Sequence, residues 1–443
     1  MQHEPDFFAH LRSELSSWRV WLDRTIVLAY AVAAGGFVVL FTLLSDWTSA
    51  RFFQVQAWNP WSVLITAPLL TAGIVWITRR WFPTAAGSGI PQVKAALAPA
   101  LPPHQQNLFV SLRLTLAKMG LGVAGFAAGL SIGREGPSVQ VAAGVMQHAR
   151  RWLSPNTSID ARGLLLAGGA AGIAGAFNAP LAGVVFAIEE LSGRIESRAS
   201  GLIITAIVLA GLVAVSAFGN ASYFGVIRVP DLGWEVIWPA LAVTLLCGVA
   251  GGLFARLLIA SLTGAPEPLT RWKGRHPVAF AAICGLAIAV IGLVTAGATF
   301  GSGSEAVKEM LQGHGELTPL ATLLKFVATW LSAWCGVPGG IFAPSLSIGA
   351  GIGHAVALVS DGGLGPALIA LGMAAFLAAV TQAPLTAFII VMEMVDGHAM
   401  VLSLMAAAML ASLVSRMISR PLYDTLAEHM IGSARRQEES GTS

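Results

Sequence analysis

Two acidic residues stand in apolar stretches of this sequence, where a carboxylate is costly to bury. Glu135 lies in the segment 133–137, Gly-Arg-Glu-Gly-Pro, where a helix can begin because proline is favoured in the first helical turn. Its carboxylate can therefore take the place of a small anion bound at that helix start. Glu190 closes the apolar stretch that follows Pro180. Acids in membrane-type apolar surroundings are rare and mark ion or proton pathways by default.

Each of these acids also has an ordinary structural interpretation. Glu135 could form a static ion pair with Arg134 or Lys118, because a buried charge needs a partner. Glu190 could be a helix-end charge paired with an arginine of the segment 194–198, an arrangement that contributes little to function. The elements that position the two acids decide between these interpretations.

The chain carries one pattern twice. A lysine, a glycine, a proline and a serine recur 207 positions apart, and a second matched proline recurs after 204. The pairs are Lys118 and Lys325, Gly133 and Gly340, Pro137 and Pro344, Ser138 and Ser345, and Pro180 and Pro384. Matched Gly and Pro interruptions are typical of transporters, so we predict an all-α integral membrane fold of two related repeats with tilted and broken helices. Precedent favours an inverted pair of repeats, and a parallel pair is the alternative. A lysine in an apolar segment needs a partner, and we expect each matched lysine to pair with an acid.

The repeat separates shared acids from additional ones. Glu189 matches Glu393, each nine residues after its proline, so we expect both to be hydrogen-bonded at a helix end. The positions that match Glu135 and Glu190 hold phenylalanine and methionine. These two acids are therefore additions to the shared frame.

Composition places most of the chain in lipid. It is 55% hydrophobic and 11% charged, with a mean hydropathy of +0.73, which is too apolar for an ordinary soluble protein. Arginines flank the first and last apolar runs, so we predict cytoplasmic termini and an even number of crossings. The runs long enough for membrane helices are 25–44, 61–77, 236–255, 278–298 and 367–392.

Polar segments divide the chain into five parts. They are a cytoplasmic amphipathic segment 1–24, a first repeat 25–218, an extracytoplasmic loop 219–235, a second repeat 236–424 and a cytoplasmic tail 425–443. The net charge of +3 gives no indication of nucleic-acid binding. Cys247, Cys284 and Cys335 lie in apolar segments without metal-type spacing, so we interpret them as small core residues.

Helices interrupted inside a membrane favour an anion as ligand. Their broken ends expose backbone N–H groups, and a helix N-terminus carries partial positive charge. The interruptions here have no excess of cationic side chains. An anion bound by amides and hydroxyls alone can also leave, as conduction requires.

Three glycine-rich motifs and a late tyrosine resemble those of the CLC family of chloride channels and transporters. In this sequence they are Gly-Ser-Gly-Ile-Pro at 87–91, Gly-Arg-Glu-Gly-Pro at 133–137, Gly-Ile-Phe-Ala-Pro at 340–344 and Tyr423. All four occur in order on the duplicated frame. The resemblance is to bacterial proton/chloride antiporters without cytoplasmic regulatory domains. It implies a homodimer in the inner membrane, with a separate pathway in each subunit.

The resemblance also implies a role for each motif residue. The residues that it assigns to a central chloride are Ser88 and Tyr423, through their hydroxyls, and Ile341 and Phe342, through their amides. The amides that it assigns to an outer anion site are those of Arg134, Glu135, Gly136 and Ala343. Glu135 resembles the external gating glutamate, and Glu190 the internal proton-transfer glutamate.

Some of these positions have plainer interpretations, and two depart from the family. Ser88 alone would be interpreted as a helix N-cap, and Tyr423 as an interfacial aromatic residue. Gln92 stands where the family motif usually ends in glutamate, and Lys94 where bacterial antiporters often have an acid. Both departures bear on proton entry and leave the residues assigned to chloride unaffected.

The predicted function is secondary active transport by chloride/proton exchange with a glutamate gate, and the acid at Glu190 is the main reason. The alternative is a passive voltage- or pH-gated chloride channel of the same family, in which Glu190 is idle. A preference for fluoride or nitrate is less favoured because of Ser88.

The ligands are chloride and protons, and no enzymatic activity, cofactor or metal is predicted. An intramembrane hydrolase is disfavoured because the histidines show no metal spacing: His104, His148, His314 and His354.

Overall fold

The computed structural model describes residues 18–99, 101–102, 105–155, 157, 159–192, 200–219, 222–226, 234–264, 268–360 and 364–441. Within these ranges the regular structure is helical, apart from two isolated backbone bridges. The predicted all-α fold is therefore confirmed. Most of the predicted amphipathic segment 1–24 and much of the predicted loop 219–235 lie outside the described ranges.

The helices fall into two series and a C-terminal addition. The first series is α1 (Trp18–Trp58), α2 (Val63–Trp81), α3 (Ile90–Leu97), α4 (Gln106–Phe109), α5 (Leu112–Ala127), α6 (Glu135–His148), α7 (Ala161–Ala176), α8 (Pro180–Phe186) and α9 (Ser200–Phe218). A π-helical turn, Ala187–Ser192, continues α8. The second series is α10 (Ile237–Thr263), α11 (Pro268–Arg275), α12 (Pro277–Val294), α13 (Ser304–Leu311), α14 (Pro319–Trp334), α15 (Phe342–Ala357), α16 (Gly365–Thr381), α17 (Pro384–Met394) and α18 (Val401–Arg416). The addition is α19 (Leu422–Gly441).

Eight helices of the first series correspond in order to eight of the second. The pairs are α1 with α10, α2 with α12, α3 with α13, α5 with α14, α6 with α15, α7 with α16, α8 with α17 and α9 with α18. Helices α5 and α14 have 16 residues each, and α3 and α13 have 8 each. The two halves are therefore related through eight of their nine helices, and α4, α11 and α19 have no counterpart among the described residues.

The matched helices α8 and α17 run antiparallel and exchange their acids. Glu189, in the turn after α8, accepts hydrogen bonds from the first N–H groups of α17, that of Thr386 at 2.6 Å. Glu393, near the end of α17, accepts from the first N–H groups of α8, that of Ala182 at 2.7 Å. A two-fold axis across antiparallel membrane helices lies in the membrane plane. The repeats are therefore inverted, and the structural role predicted for the two shared acids is confirmed.

The apolar runs in the sequence predicted where membrane helices lie more accurately than where those helices are interrupted. The run 367–392, interpreted above as one helix, is two helices, because Gln382 takes a left-handed φ of 59° and Pro384 begins α17. The run 25–44 lies within the 41-residue α1. Seven helices of the described ranges are long and apolar enough to cross a membrane, and four shorter apolar helices accompany them. The number of crossings and their orientation stay predictions.

Small residues bring the central helices of each half together. In the first half Gly172 of α7 packs on the backbone of Ser138 in α6, and in the second Gly353 of α15 packs on that of Leu368 in α16. A Cβ atom at either glycine would collide with a carbonyl oxygen, and such close packing is typical of membrane helices. The three cysteines are buried and free, as predicted for small core residues.

Candidate anion and proton site

The interruptions of the two halves meet at backbone level. Gly133 and Gly340 exchange N–H···O bonds of 2.8 and 2.7 Å, so two residues at equivalent positions of the repeat are paired across the two-fold axis. The first glycine-rich turn joins them, because the N–H of Gly87 donates to Val337 at 3.2 Å and Gly339 donates to Gly87 at 3.1 Å. Three segments that are far apart in sequence therefore converge, as the repeat predicted.

Ser88 lies in the first of these turns and points toward the start of α6. The flanking Gly87 and Gly89 have φ values of 75° and 111°, a region that glycine adopts readily. A Cβ atom at Gly136 would occupy the position of the Ser88 hydroxyl. The Ser88 Oγ atom is buried and makes no capping hydrogen bond, so the N-cap interpretation is wrong.

Tyr423 faces the same place from α19. It lies in the first turn of that helix and is 1% exposed, so the interpretation as an interfacial aromatic residue is wrong. Its hydroxyl is buried beside that of Ser88. Its ring packs on Phe342, with centroids 6.1 Å apart. Two hydroxyl groups are thus brought together from opposite ends of the chain.

The start of α15 lies beside the buried hydroxyls of Ser88 and Tyr423. The helix begins at Phe342, and Ile341 is its N-cap residue without a side-chain capping bond. The first N–H groups of a helix have no acceptor within it, and the residues around Ile341 and Phe342 are buried. Buried hydroxyls and free helix N-terminal amides together form a site suited to a dehydrated anion.

Glu135 places its carboxylate at the neighbouring helix start. The side chain belongs to a residue that is 2% exposed, and its Oε2 atom accepts a hydrogen bond of 3.4 Å from the N–H of Ala343. No ion pair within the described ranges joins Glu135 to Arg134 or Lys118. The static-pair interpretation is therefore wrong, and the carboxylate contacts Ala343, one of the amides that the resemblance assigned to an outer anion.

One end of the site, which we call the Arg134 end, consists of Asp46, Arg134 and Tyr223. Arg134 forms an ion pair with Asp46 and donates a hydrogen bond of 3.1 Å to the Tyr223 hydroxyl. These residues line a cavity of about 340 Å³ together with Ser304 and Lys308 of α13. The segment 222–226, part of the predicted loop, thus contributes to the lining of a cavity beside Arg134, the residue that precedes Glu135.

The other end, which we call the Lys94 end, consists of Lys94, Glu190 and Asp424. The Lys94 ammonium lies 2.7 Å from a Glu190 oxygen and 2.6 Å from an Asp424 oxygen. Glu190 and Lys94 are nearly buried, with side chains 7% and 11% exposed, whereas that of Asp424 is 57% exposed. Arg194 and Arg198, the partners considered for Glu190 above, lie outside the described residues.

The matched lysines do not pair with acids, contrary to the prediction. Lys118 donates to the carbonyls of Ala85 and Gly87 at 2.8 and 2.5 Å. Lys325 donates to backbone carbonyls of the segment 299–301, the shortest bond being 2.7 Å. Both lysines are fully buried. Each therefore binds the turn that precedes α3 or α13, where helix breaks leave carbonyls in need of donors.

Sequence reasoning missed several residues of both ends. Asp46, Tyr223 and Asp424 were not singled out, and Lys94 was noted without a partner. The sequence did carry a signal for the matched turns that the two buried lysines bind, because Gly-Ser-Gly at 301–303 repeats Gly-Ser-Gly at 87–89. This pair of turns was missed because its offset is 214 and not 207. The described ranges contain no cluster of three His, Cys, Asp or Glu side chains that could bind a metal.

Comparisons with known proteins agree with this arrangement. The sequence profile described as "Voltage gated chloride channel" matches residues 69–416. A relative from Cronobacter sakazakii, named H(+)/Cl(-) exchange transporter ClcA, is 29% identical over 89% of this chain and 87% of its own length. A Vibrio parahaemolyticus protein of the same name is 27% identical over 86% of this chain and 82% of its own.

Solved structures show the same fold. The crystal structure of a slow cyanobacterial Cl-/H+ antiporter superposes with a TM-score of 0.74 at 27% identity, covering 94% of this chain and 98% of the other. That of a CLC-type fluoride/proton antiporter superposes with a TM-score of 0.75, covering 96% and 99%, at 22% identity. The second likeness supports the fold alone.

Proposed function

The chain belongs to the voltage gated chloride channel family, whose profile matches most of its length, and from this premise we propose that it is a proton-coupled chloride antiporter gated by Glu135. One observation carries the proposal. The Glu135 carboxylate accepts a hydrogen bond from a helix N-terminal amide, next to a pocket of buried hydroxyls and amides. A mobile negative charge thus occupies a position that also suits chloride.

Competition for that position couples the two ions. Chloride can enter the outer position only when the Glu135 carboxylate leaves, because two anions cannot share one set of amide donors. Departure is easiest when the carboxylate is protonated, since the neutral group gives up little interaction with the helix N-terminus. The side chain then carries its proton toward the Arg134 end. Exchange follows from the movement of one side chain.

The acid at the Lys94 end supports exchange over simple conduction. Glu190 is nearly buried, and Tyr423 lies within electrostatic reach of both Glu190 and Glu135. A proton taken up at Glu190 can therefore travel past the hydroxyls toward Glu135 through transient water. The relatives named above are exchange transporters, which agrees with this assignment.

A chloride channel is the second candidate, and one observation favours it. Glu190 is paired with Lys94, and an ion pair stabilises a carboxylate in its charged form. If that pair is permanent, Glu190 takes up no proton, Glu135 acts as a gate alone and chloride flows passively.

Purified protein in chloride-loaded liposomes separates the two candidates. An outward chloride gradient should drive protons inward against their own gradient in an antiporter. Glu190→Gln should abolish proton uptake and retain chloride efflux. The neighbouring Glu189→Gln is the matched control, because Glu189 binds the start of α17, and it should retain both. Chloride efflux from wild-type liposomes without proton movement would leave only the channel.

Orientation and assembly complete the proposal. We place the Lys94 end in the cytoplasm, with both termini, because arginines flank the first and last helices on that side. The setting is a bacterial inner membrane, and the assembly is a homodimer with one pathway in each subunit, as the family resemblance implies. Ser88 favours chloride over fluoride or nitrate as the transported anion.

A further inference from the structure

Lys94 connects α3, the helix that follows the Ser88 turn, to α19, the helix that carries Tyr423. It lies within α3, and its ammonium contacts Asp424 at 2.6 Å. Asp424 follows Tyr423 in the first turn of α19. The bond between Lys94 and Asp424 therefore joins the element that positions one hydroxyl to the element that positions the other.

The same ammonium also binds Glu190. That contact is 2.7 Å, so one cation is shared between two carboxylates on different elements. The charged groups that act on Glu190 are Lys94, Asp424 and the adjacent Glu189, and the Tyr423 hydroxyl lies nearby. A charged Glu190 competes with Asp424 for the Lys94 ammonium and repels the Asp424 carboxylate, and both effects are stronger in a partly buried site than in water.

We propose that Lys94 is a clamp whose grip on α19 depends on whether Glu190 carries a proton. When Glu190 is protonated, Lys94 interacts with Asp424 alone, α3 and α19 are drawn together, and Ser88 and Tyr423 close the Lys94 end to chloride. When Glu190 is charged, the ammonium is shared, the two helices separate more easily, and chloride passes the hydroxyls. Proton uptake and chloride passage at this end thus alternate. The inference rests on the proposed exchange and extends it to a positioning residue.

Asp424→Asn tests the clamp most simply, because it cuts the link between α3 and α19 and leaves the pair of Lys94 with Glu190. Chloride turnover in liposomes should rise about two- to fivefold, the population change expected from the loss of a partly exposed ion pair. The number of protons moved per chloride should fall. Asp424→Glu should keep both values near wild type, which a merely structural disturbance of the helix start would not.

Glu428→Gln is the matched control, because Glu428 lies one helical turn further along α19, is exposed and has no contact with Lys94. It should leave chloride turnover and the proton ratio unchanged. Unchanged values in Asp424→Asn as well would overturn the proposal.

Reversing the charges of Lys94 and Asp424 gives a second test of the clamp, which can be used if Asp424→Asn folds poorly. Lys94→Asp and Asp424→Lys should each raise chloride turnover, and the double variant, which restores the bridge between α3 and α19, should return it toward wild type. Effects of the two substitutions that simply add would overturn the clamp, because residues acting through one contact are not additive. If wild-type liposomes move chloride and no protons, the proposed exchange is wrong, and chloride turnover of these variants still tests the clamp.

Discussion

The two halves of this chain have the same helices and different chemistry. The residues that they share bind backbone groups. The two matched lysines donate to carbonyls at the helix breaks. Glu189 accepts from the first amides of α17, and Glu393 accepts from the first amides of α8. The acids that they do not share are Glu135 and Glu190, the two acids of the proposed pathway, and the other half has phenylalanine and methionine at the matching positions. The residues that follow the repeat therefore stabilise the helices, and the residues proposed to act on ions are ones that depart from it.

The two Gly-Ser-Gly turns show how the halves diverge. In both turns the glycines have positive φ, and in both a buried lysine binds the carbonyls. The Ser302 hydroxyl donates to Ser304 within its own turn at 3.1 Å. The Ser88 hydroxyl instead faces Tyr423 of α19, a helix that has no counterpart among the described residues of the first half. The added helix, more than the turn itself, makes the first half's serine suitable for binding an anion.

Removing the shared lysines should have the largest effect. Lys118→Met leaves the Ala85 carbonyl without its donor, because the Gly87 carbonyl keeps the bond from Gly339, whereas Lys325→Met removes the donor of the carbonyls at 299–301. Each buried carbonyl left without a donor costs about 1–3 kcal/mol. We expect both variants to lose folded protein, with the larger loss for Lys325→Met. Size-exclusion profiles and thermal midpoints in detergent measure this.

Lys308→Met is the control for these variants, because Lys308 lies in the matched helix α13 and is exposed. A Lys118 or Lys325 variant as stable as Lys308→Met would contradict the structural role. A large loss in one half and none in the other would break the equivalence of the halves.

The exchanged acids should have an intermediate effect. Glu189→Gln and Glu393→Gln remove a negative charge from the start of a helix, where such a charge contributes about 0.3–1 kcal/mol. We expect similar decreases in thermal midpoint for the two variants, and additive decreases in the double variant if the two contacts are independent. Glu316→Gln, at an exposed position, should show no decrease. Markedly unequal decreases would mean that one acid has a further role.

Replacing an unshared acid should have the smallest effect on stability and the clearest effect on transport. Glu135→Gln removes a buried charge that has a single long hydrogen bond of 3.4 Å to another residue, and burying an unpaired charge is unfavourable. We therefore expect an unchanged or higher thermal midpoint together with the loss of proton movement in liposomes. A Glu135→Gln variant that is destabilised and still moves protons would mean that this unshared acid has a structural role and no role in transport.

The sequence alone was sufficient to predict the all-α fold, the repeat and the meeting of the helix breaks. The matched prolines and glycines predicted where helices break, and the predicted contact between the breaks is confirmed by the bonds between Gly133 and Gly340. These features are local or repeated, so one sequence displays them. Composition averaged over the run 367–392 did not show the break after Thr381, although Gln382 and Pro384 mark it in the repeat.

Partners far apart in sequence could not be predicted. Lys94 and Asp424 are separated by most of the chain and lie in α3 of the first half and in the added helix α19, so nothing in their local sequence indicates that they meet. The lysines at 118 and 325 were expected to bind acids because a buried cation needs anionic or polar partners. Backbone carbonyls freed by the helix breaks supply those partners instead, and which carbonyls are free depends on the fold.

The location of bound halide tests the central claim most directly. Crystals of the wild type and of Glu135→Gln grown in bromide would show the anion by its anomalous scattering. The account predicts a peak beside the hydroxyls of Ser88 and Tyr423 and the amides of Ile341 and Phe342 in both proteins, and a second peak near the Ala343 amide only in the variant. Peaks elsewhere, or no difference at the Ala343 amide between the two proteins, would contradict it.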